Sequence, residues 1–592
     1  MDINYRKNDN SRLFKDFMDE NLLNIKEIQN YIPIYNNFFN LTEKNYRNIN
    51  LNNINKLCSL KKKLSNNKFI GTISNSKSDD DTDFNIEIPV FFKLSPLLDP
   101  IKYMMDKYDI DNPYLLNLPQ FDSTNCHKKT LDYNNSAYID GFFTYLTSQL
   151  LHYHKFIHGL DYYGSFLALK KDYLVNIYDD LDYLNDSNAF HKNINNLFTL
   201  DNNSHYDMLN FDTRNNKRAL KIHDNDIEKN IEKNIDKNIN ENIDNNINEN
   251  SISNCIIELS DIEDLNKFSK IFISNNSKDN QCTNDLIFKS NIENCSSHNT
   301  NSSSSCSSRT SNTNNDESNN DSETNTNTDN TSYSTASDDE MFASIKRFPI
   351  QIISLEYCEK TLDSLISDEN IKDEEWDSII LQILMILITY QKLFNMTHND
   401  LHTNNIMYIN TDKKHLYYKI NNKHYKVPTF GRIFKIIDFG RAIYTFKSNL
   451  LCSDSYEKDG DASTQYNFGP YMDENKPRLE PNYSFDLCRL ACSLFDFLVD
   501  DLDKLPKIKS PIKKIMISWC YDDKNRNILY KNDGDERYPD FKLYKMISRS
   551  VHNHVPLEQL SKHSEHFDKY LIAKKRINNG FIMNIDDLPI YI

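Results

Sequence analysis

Apolar residues recur with helical spacing over 136–154, at Ile139, Phe142, Phe143, Leu146, Leu150 and Tyr153. A second, more continuous apolar stretch predicts a long, largely buried helix over 374–395. Shorter runs predict strands at Ile86–Leu94, Phe348–Leu355 and Ile433–Ile437. Residues 415–420 and 423–427 flank Asn421-Asn422 and predict a hairpin, because Asn tolerates the positive φ of a tight turn. Residues 1–64 alternate Asn-rich and apolar pieces and predict short helices and loops. From about 201 to 345 the pattern fails. Ile227, Ile231, Ile235, Ile239, Ile243 and Ile247 repeat every four residues, which drifts around a helix of 3.6 residues per turn. Residues 295–338 are low-complexity and too poor in apolar side chains to offset the entropy of folding.

Composition narrows the class. Apolar residues make up 38% of 592, below the roughly 45–50% of ordinary globular chains, so part of the chain is expected to lie outside any core. A net charge of −17 argues against nucleic acid and against anionic membrane, both of which need basic surface. The 11 cysteines include no C-x-x-C, so neither a zinc site nor a disulfide framework is indicated. The first residues lack the apolar core of a signal peptide. The longest apolar run, starting at Ile379, contains Gln382 and is too short to span a bilayer. A soluble intracellular protein is expected.

The chemistry concentrates in 396–442. His398, Asp400 and Asn405 lie close together, and Asp438-Phe439-Gly440 follows the strand-like run 433–437. The spacing offers one carboxylate to a substrate hydroxyl and an amide oxygen plus a second carboxylate to Mg²⁺, the parts that phosphoryl transfer requires. HNDLHTNN resembles the catalytic loop H-R-D-L-x-x-x-N of protein kinases, and IIDFG resembles their metal-binding D-F-G. The Ile- and Asn-rich composition and long insertions resemble the divergent protein-kinase-like proteins of giant DNA viruses.

The resemblance implies an α+β, two-lobed protein-kinase-like fold with a long disordered insertion in the small lobe. It implies an ATP- and Mg²⁺-dependent enzyme acting on Ser/Thr hydroxyls of a protein substrate. Asp400 is then the catalytic base, with Asn405 and Asp438 on the metal. His398 braces the loop, and His402 stands where serine/threonine kinases carry a phosphate-touching lysine. Lys93 resembles the strand lysine of V-A-I-K that steadies the phosphates. Gly71 falls where a glycine-rich loop is expected, although no G-x-G-x-x-G exists. Glu356-Tyr357-Cys358 resembles the hinge that pairs with adenine. Asp486 resembles the acid that ties a helix back to the catalytic loop.

Departures accompany the resemblance. The helix over 136–154 lacks the glutamate that should pair with Lys93, leaving Gln149 or Asp140 as candidates. Asn399 replaces the arginine that reads a phosphorylated activation segment. That segment, with Ser453, Ser455, Tyr456, Ser463 and Thr464, reads as polar and mobile, and no A-P-E follows it. The implied organisation is an extension (1–64), a first small-lobe part (65–170), an insertion (171–345), the last small-lobe strand and hinge (346–357) and a large lobe (358–592). Two rival readings stay open: a pseudokinase scaffold, and a small-molecule kinase of the aminoglycoside or choline type. The expected setting is the host cytoplasm or the virion. The oligomeric state is left open.

Overall fold

A computed structural model describes residues 3–7, 9–75, 84–122, 124–201, 341–499, 501–577 and 580–592, all within one compact unit of the chain. The isoleucine repeat, the low-complexity tract and the acidic stretch 79–83 lie outside the described residues. The architecture is mixed α+β.

One antiparallel sheet carries seven strands: β1 (Ile25–Gln29), β2 (Asn55–Lys63), β3 (Lys68–Asn75), β4 (Phe84–Pro96), β5 (Tyr162–Asn176), β6 (Phe198–Leu200) and β7 (Phe342–Glu356). Their order is β1-β5-β7-β4-β3-β2, with β6 pairing the first part of β7. Alternation gives the sheet two faces. Val90 and Phe92 of β4 face a core that includes Phe17, whose ring meets Phe92 edge-on at 5.6 Å. Lys93 has the opposite parity and faces helix α1 (Ser136–His154).

Helix α1 is buried nearly all round, which its apolar periodicity alone did not require. Asn135 caps it by accepting from Ala137 N–H. Phe143 sits among four rings: Tyr390 and Phe394, each at 5.4 Å, and Phe439 and Tyr444, each at 4.7 Å. Tyr390 and Phe394 belong to α2 (Asp373–Phe394), whose first turn holds Asp373, Glu374 and Glu375 against the positive end of the helix dipole. By length and composition α2 could cross a membrane, but 94% of its most apolar window is buried in protein.

After α2, strand β8 (Ile406–Asn410) pairs with β11 (Arg432–Ile436). Between them β9 (His415–Ile420) and β10 (Lys423–Pro428) form the expected hairpin, turning on Asn421 and Asn422 at φ 50° and 59°. A second hairpin, β12 (Ile443–Phe446) and β13 (Asn449–Cys452), follows. Helices α3 (Phe485–Leu498) and α4 (Lys542–Ser550) pack behind the catalytic-loop sequence.

Three expected boundaries move. Residues 1–64 are not merely an extension, because they supply β1 and β2. The insertion does not begin at 171: β5 runs on to Asn176, two short helices follow, and β6 pairs with β7. Strand β7 likewise starts at Phe342 rather than 346. The reason is alternation outside the longest apolar runs. Tyr173 and Val175 are buried on one face of β5, while Asp172 and Leu174 point the other way and stay exposed.

Candidate active site

The catalytic-loop sequence is fixed from beneath by one carboxylate. Asp486, in the first turn of α3, accepts the backbone N–H of His398 (2.9 Å) and of Asn399 (2.8 Å). Burial raises the pKa of Asp486, so those two donors are what keep its charge tolerable. His398 spans the loop. Its Nδ1 accepts Asp400 N–H (3.3 Å) and its Nε2 donates to Ile437 O (2.9 Å), which ties the loop to the residue before Asp438. Both ring nitrogens are committed, so His398 is a brace.

Asn399 holds positive φ (64°), a conformation that Asn tolerates. Its amide donates to Thr397 O and Arg441 O, both at 3.1 Å, and its Oδ1 accepts from Tyr466 at 2.7 Å. An expectation is corrected here: the segment after the D-F-G is packed. Ile443, Cys452, Tyr456, Ala462, Tyr466 and Phe468 form a core of their own. Ser453 and Ser455 are buried and bonded to each other at 3.0 Å, and Tyr456 donates to Arg441 O at 2.8 Å. Of the polar side chains that suggested mobility, Ser453, Ser455 and Tyr456 have found buried partners, while Thr464 stays exposed.

Asp400 is only 2% exposed. Tyr544 of α4 donates to its Oδ1 at 2.8 Å, and Arg489 of α3 donates through Nε to the Tyr544 oxygen at 2.9 Å. Arg441 Nη1 lies 3.9 Å from the same Oδ1. Burial works against the charge on Asp400, but Arg441, with Arg489 and the Tyr544 hydroxyl, outweighs it and holds the carboxyl well below the usual range. Asn405 donates from Nδ2 to Asp400 O (2.9 Å) and to His402 Nε2 (3.1 Å), so its carbonyl oxygen is the atom that could take a metal. Burial lowers the His402 pKa to about 4, so the imidazole is neutral at pH 7 and accepts from Asn405.

Lys93 resolves the open pairing. Its Nζ lies 2.7 Å from Asp140 Oδ2 on α1 and 2.8 Å from Asp438 Oδ1. Asp140 Oδ1 also accepts Phe439 N–H at 2.8 Å. Gln149, the other candidate, is buried without a hydrogen-bond partner for its amide. Burial opposes the charge on Lys93, and the two carboxylates more than compensate, raising its pKa. Two buried carboxyls thus face one ammonium, an arrangement that a cation beside Asp438 would balance. Among the described residues no group of three or more His, Cys, Asp or Glu is arranged to hold a metal by itself. One carboxylate and one amide oxygen suit Mg²⁺, which takes few protein ligands when phosphates and water supply the rest.

Two other expectations, for Gly71 and Glu356, meet a different structure. Gly71 is not in a loop: it sits within β3, paired with Leu60 and Ile88. A Cβ there would come within 2.7 Å of Leu57 Cδ1 and 3.0 Å of Val90 Cγ2, so the glycine serves sheet packing. The β2–β3 turn is Leu64–Asn67, and Asn67 O accepts Phe92 N–H at 2.8 Å, one residue before Lys93. Glu356 does not offer its backbone N–H to a ligand, because Asp161 O takes it at 2.9 Å. Its carboxylate pairs with buried Lys435, whose Nζ also donates to Gly159 O at 2.8 Å. Cys358 is buried, and burial pushes its thiol up.

Tyr544, Arg441 and Arg489 escaped sequence reasoning. Tyr544 lies 144 positions from Asp400, and no local pattern marks it. Asp140 did leave a signal, as the only acid in its helix. Compared with known proteins, the chain matches no family model and no curated sequence.

Proposed function

We propose that this protein is an ATP-dependent protein kinase on a two-lobed kinase-like fold, a divergent relative of the kinase-like proteins of giant DNA viruses, acting inside the cell on Ser/Thr hydroxyls. The observation that carries the reading is the meeting of Asp140 (2.7 Å) and Asp438 (2.8 Å) at the Lys93 ammonium, with Asp438 following the Asp400–Asn405 loop and its strands. These residues are up to 345 positions apart, and phosphoryl transfer is a chemistry of positioned charge. The strand order, with the lysine strand β4 between β3 and β7 and α1 against it, supports the same fold.

In this reading Lys93 steadies the ATP phosphates, and Asp438 and Asn405 would hold Mg²⁺, which supplies charge neutralisation when bound. Asp400 orients the acceptor hydroxyl. As that oxygen bonds to the γ-phosphorus and ADP leaves, the proton passes to Asp400. A carboxylate held this far below its usual range takes the proton late, which suits a loose transition state. His402 adds no charge at pH 7.

Two observations favour the scaffold alternative. Asp400 lies covered beneath Tyr544, and the β2–β3 turn contains no glycine. The test begins with thermal denaturation. Millimolar MgATP should raise the melting temperature, since ligand at about 100 times its Kd adds about 2.7 kcal/mol. Transfer of γ-phosphate to a generic Ser/Thr protein should follow and vanish in Asp400→Asn, with the thermal shift retained. No shift at all favours the scaffold. A shift without transfer to protein, but with transfer to a small alcohol, favours the small-molecule class.

A further inference from the structure

We infer that Asp454 is a positioning residue for the Lys93 site, a permanent anchor that holds α1 in place without any modification of the segment that carries it. This rests on the phosphotransfer reading above.

Asp454 follows hairpin β12–β13 and is 2% exposed. Its Oδ1 accepts the backbone N–H of Ser136, the first residue of α1, at 3.0 Å. Its Oδ2 pairs with Lys129 Nζ. Its backbone N–H donates to Asn134 O at 2.8 Å, and Cys452 N–H donates to Asn134 Oδ1 at 3.3 Å. The carboxylate therefore answers one orphan donor at a helix start, the favourable end of the helix dipole and a lysine together.

The consequence reaches the site through the helix. Asp140 lies four residues beyond Ser136, about one turn away on the same face. The same segment grips that turn twice more, with Tyr444 donating to Ile139 O at 2.9 Å and Phe439 N–H donating to Asp140 Oδ1 at 2.8 Å. A helix fixed at 136, 139 and 140 cannot withdraw Asp140 from Lys93 without breaking buried bonds. The Asp454 side chain makes these contacts as an ordinary residue of the chain, with no added group needed. The neutral Asn399–Tyr466 bond ties down the rest of the segment.

The experiment uses the full chain, with Asp454→Asn and, from the more exposed partner, Lys129→Gln. Amide hydrogen exchange over 136–145 is read alongside MgATP affinity. Both variants should exchange about tenfold faster over that stretch while exchange in α2 stays unchanged. Both should bind MgATP about tenfold more weakly, and Asp454→Glu should recover most of the affinity. Unchanged exchange over 136–145 in both variants overturns the inference, as does faster exchange with undiminished affinity. If the wild type binds no MgATP and exchange still responds, the phosphotransfer reading fails and the anchor on α1 stands.

Discussion

The two sides of the candidate site are held by different physics. The loop around His398 and Asp400 rests on many bonds of modest strength: Asp486 to two backbone donors, His398 to Ile437, and Asn399 to Thr397, Arg441 and Tyr466. The sheet side rests on one ammonium between two carboxylates. A neutral bond of this kind is worth about 1 kcal/mol and one to a charged group about 1.5–3 kcal/mol, and losing one leaves the rest in place. A buried ion pair is different: removing one partner strands the other in a medium that cannot solvate it. The loop is built to tolerate damage. The lysine joint is built to depend on how α1, β4 and the D-F-G meet.

The sharpest way to break this comparison is at Lys93. Lys93→Met should cost about 3–5 kcal/mol in urea denaturation, because Asp140 and Asp438 are left as buried like charges. MgATP should no longer stabilise the variant. A loss below 1 kcal/mol would mean the joint is not charge-dependent.

A second bridge between the two sides is neutral and titrates. Buried His158, just before β5, donates from Nδ1 to Phe434 O and accepts at Nε2 from Tyr418, both at 2.7 Å. Burial lowers its pKa to about 4 from 6.5. The unfolded chain therefore binds the extra proton first, and stability falls as pH drops from 6.5 to 4. The contribution amounts to about 3 kcal/mol across that window. His158→Asn should remove that much of the pH dependence, measured as unfolding free energy against pH.

Smaller effects belong to the tolerant parts. Asp486→Asn keeps one acceptor for the loop and should cost only about 1–2 kcal/mol, with transfer activity reduced rather than lost. Gly71→Ala should cost about 1 kcal/mol through crowding against Leu57 and Val90. It should leave MgATP affinity unchanged, since the residue lies inside a strand. A large affinity loss there would restore a phosphate-covering role to Gly71.

Legibility followed the same division. The loop residues His398, Asp400 and Asn405 and the strand before Asp438 could be read because their arrangement is local: a few residues, one turn, one strand. Helix α1 was legible for the same reason, and its bounds came out at 136 and 154. Gly71 misled because a glycine needed for side-chain clearance looks the same in sequence as one needed for a turn. Glu356 misled because its backbone donor is taken by Asp161 O just before β5, a contact 195 positions away that only the packed fold reveals. The polar stretch after the D-F-G misled because partners such as Asn399 for Tyr466 lie 67 positions away.

Periodicity and short motifs by themselves determined helices α1 and α2, the hairpin β9–β10, the core of strands β4, β7 and β11, and which few side chains are candidates for chemistry, because these are set by neighbours within a turn or a strand. Only the tertiary structure decided that Asp140 rather than Gln149 meets Lys93, that Tyr544 and Arg489 stand over Asp400, and that Asp454 holds the start of α1. Those contacts join residues up to 318 positions apart, and their geometry follows from how packed elements meet, which no local pattern encodes.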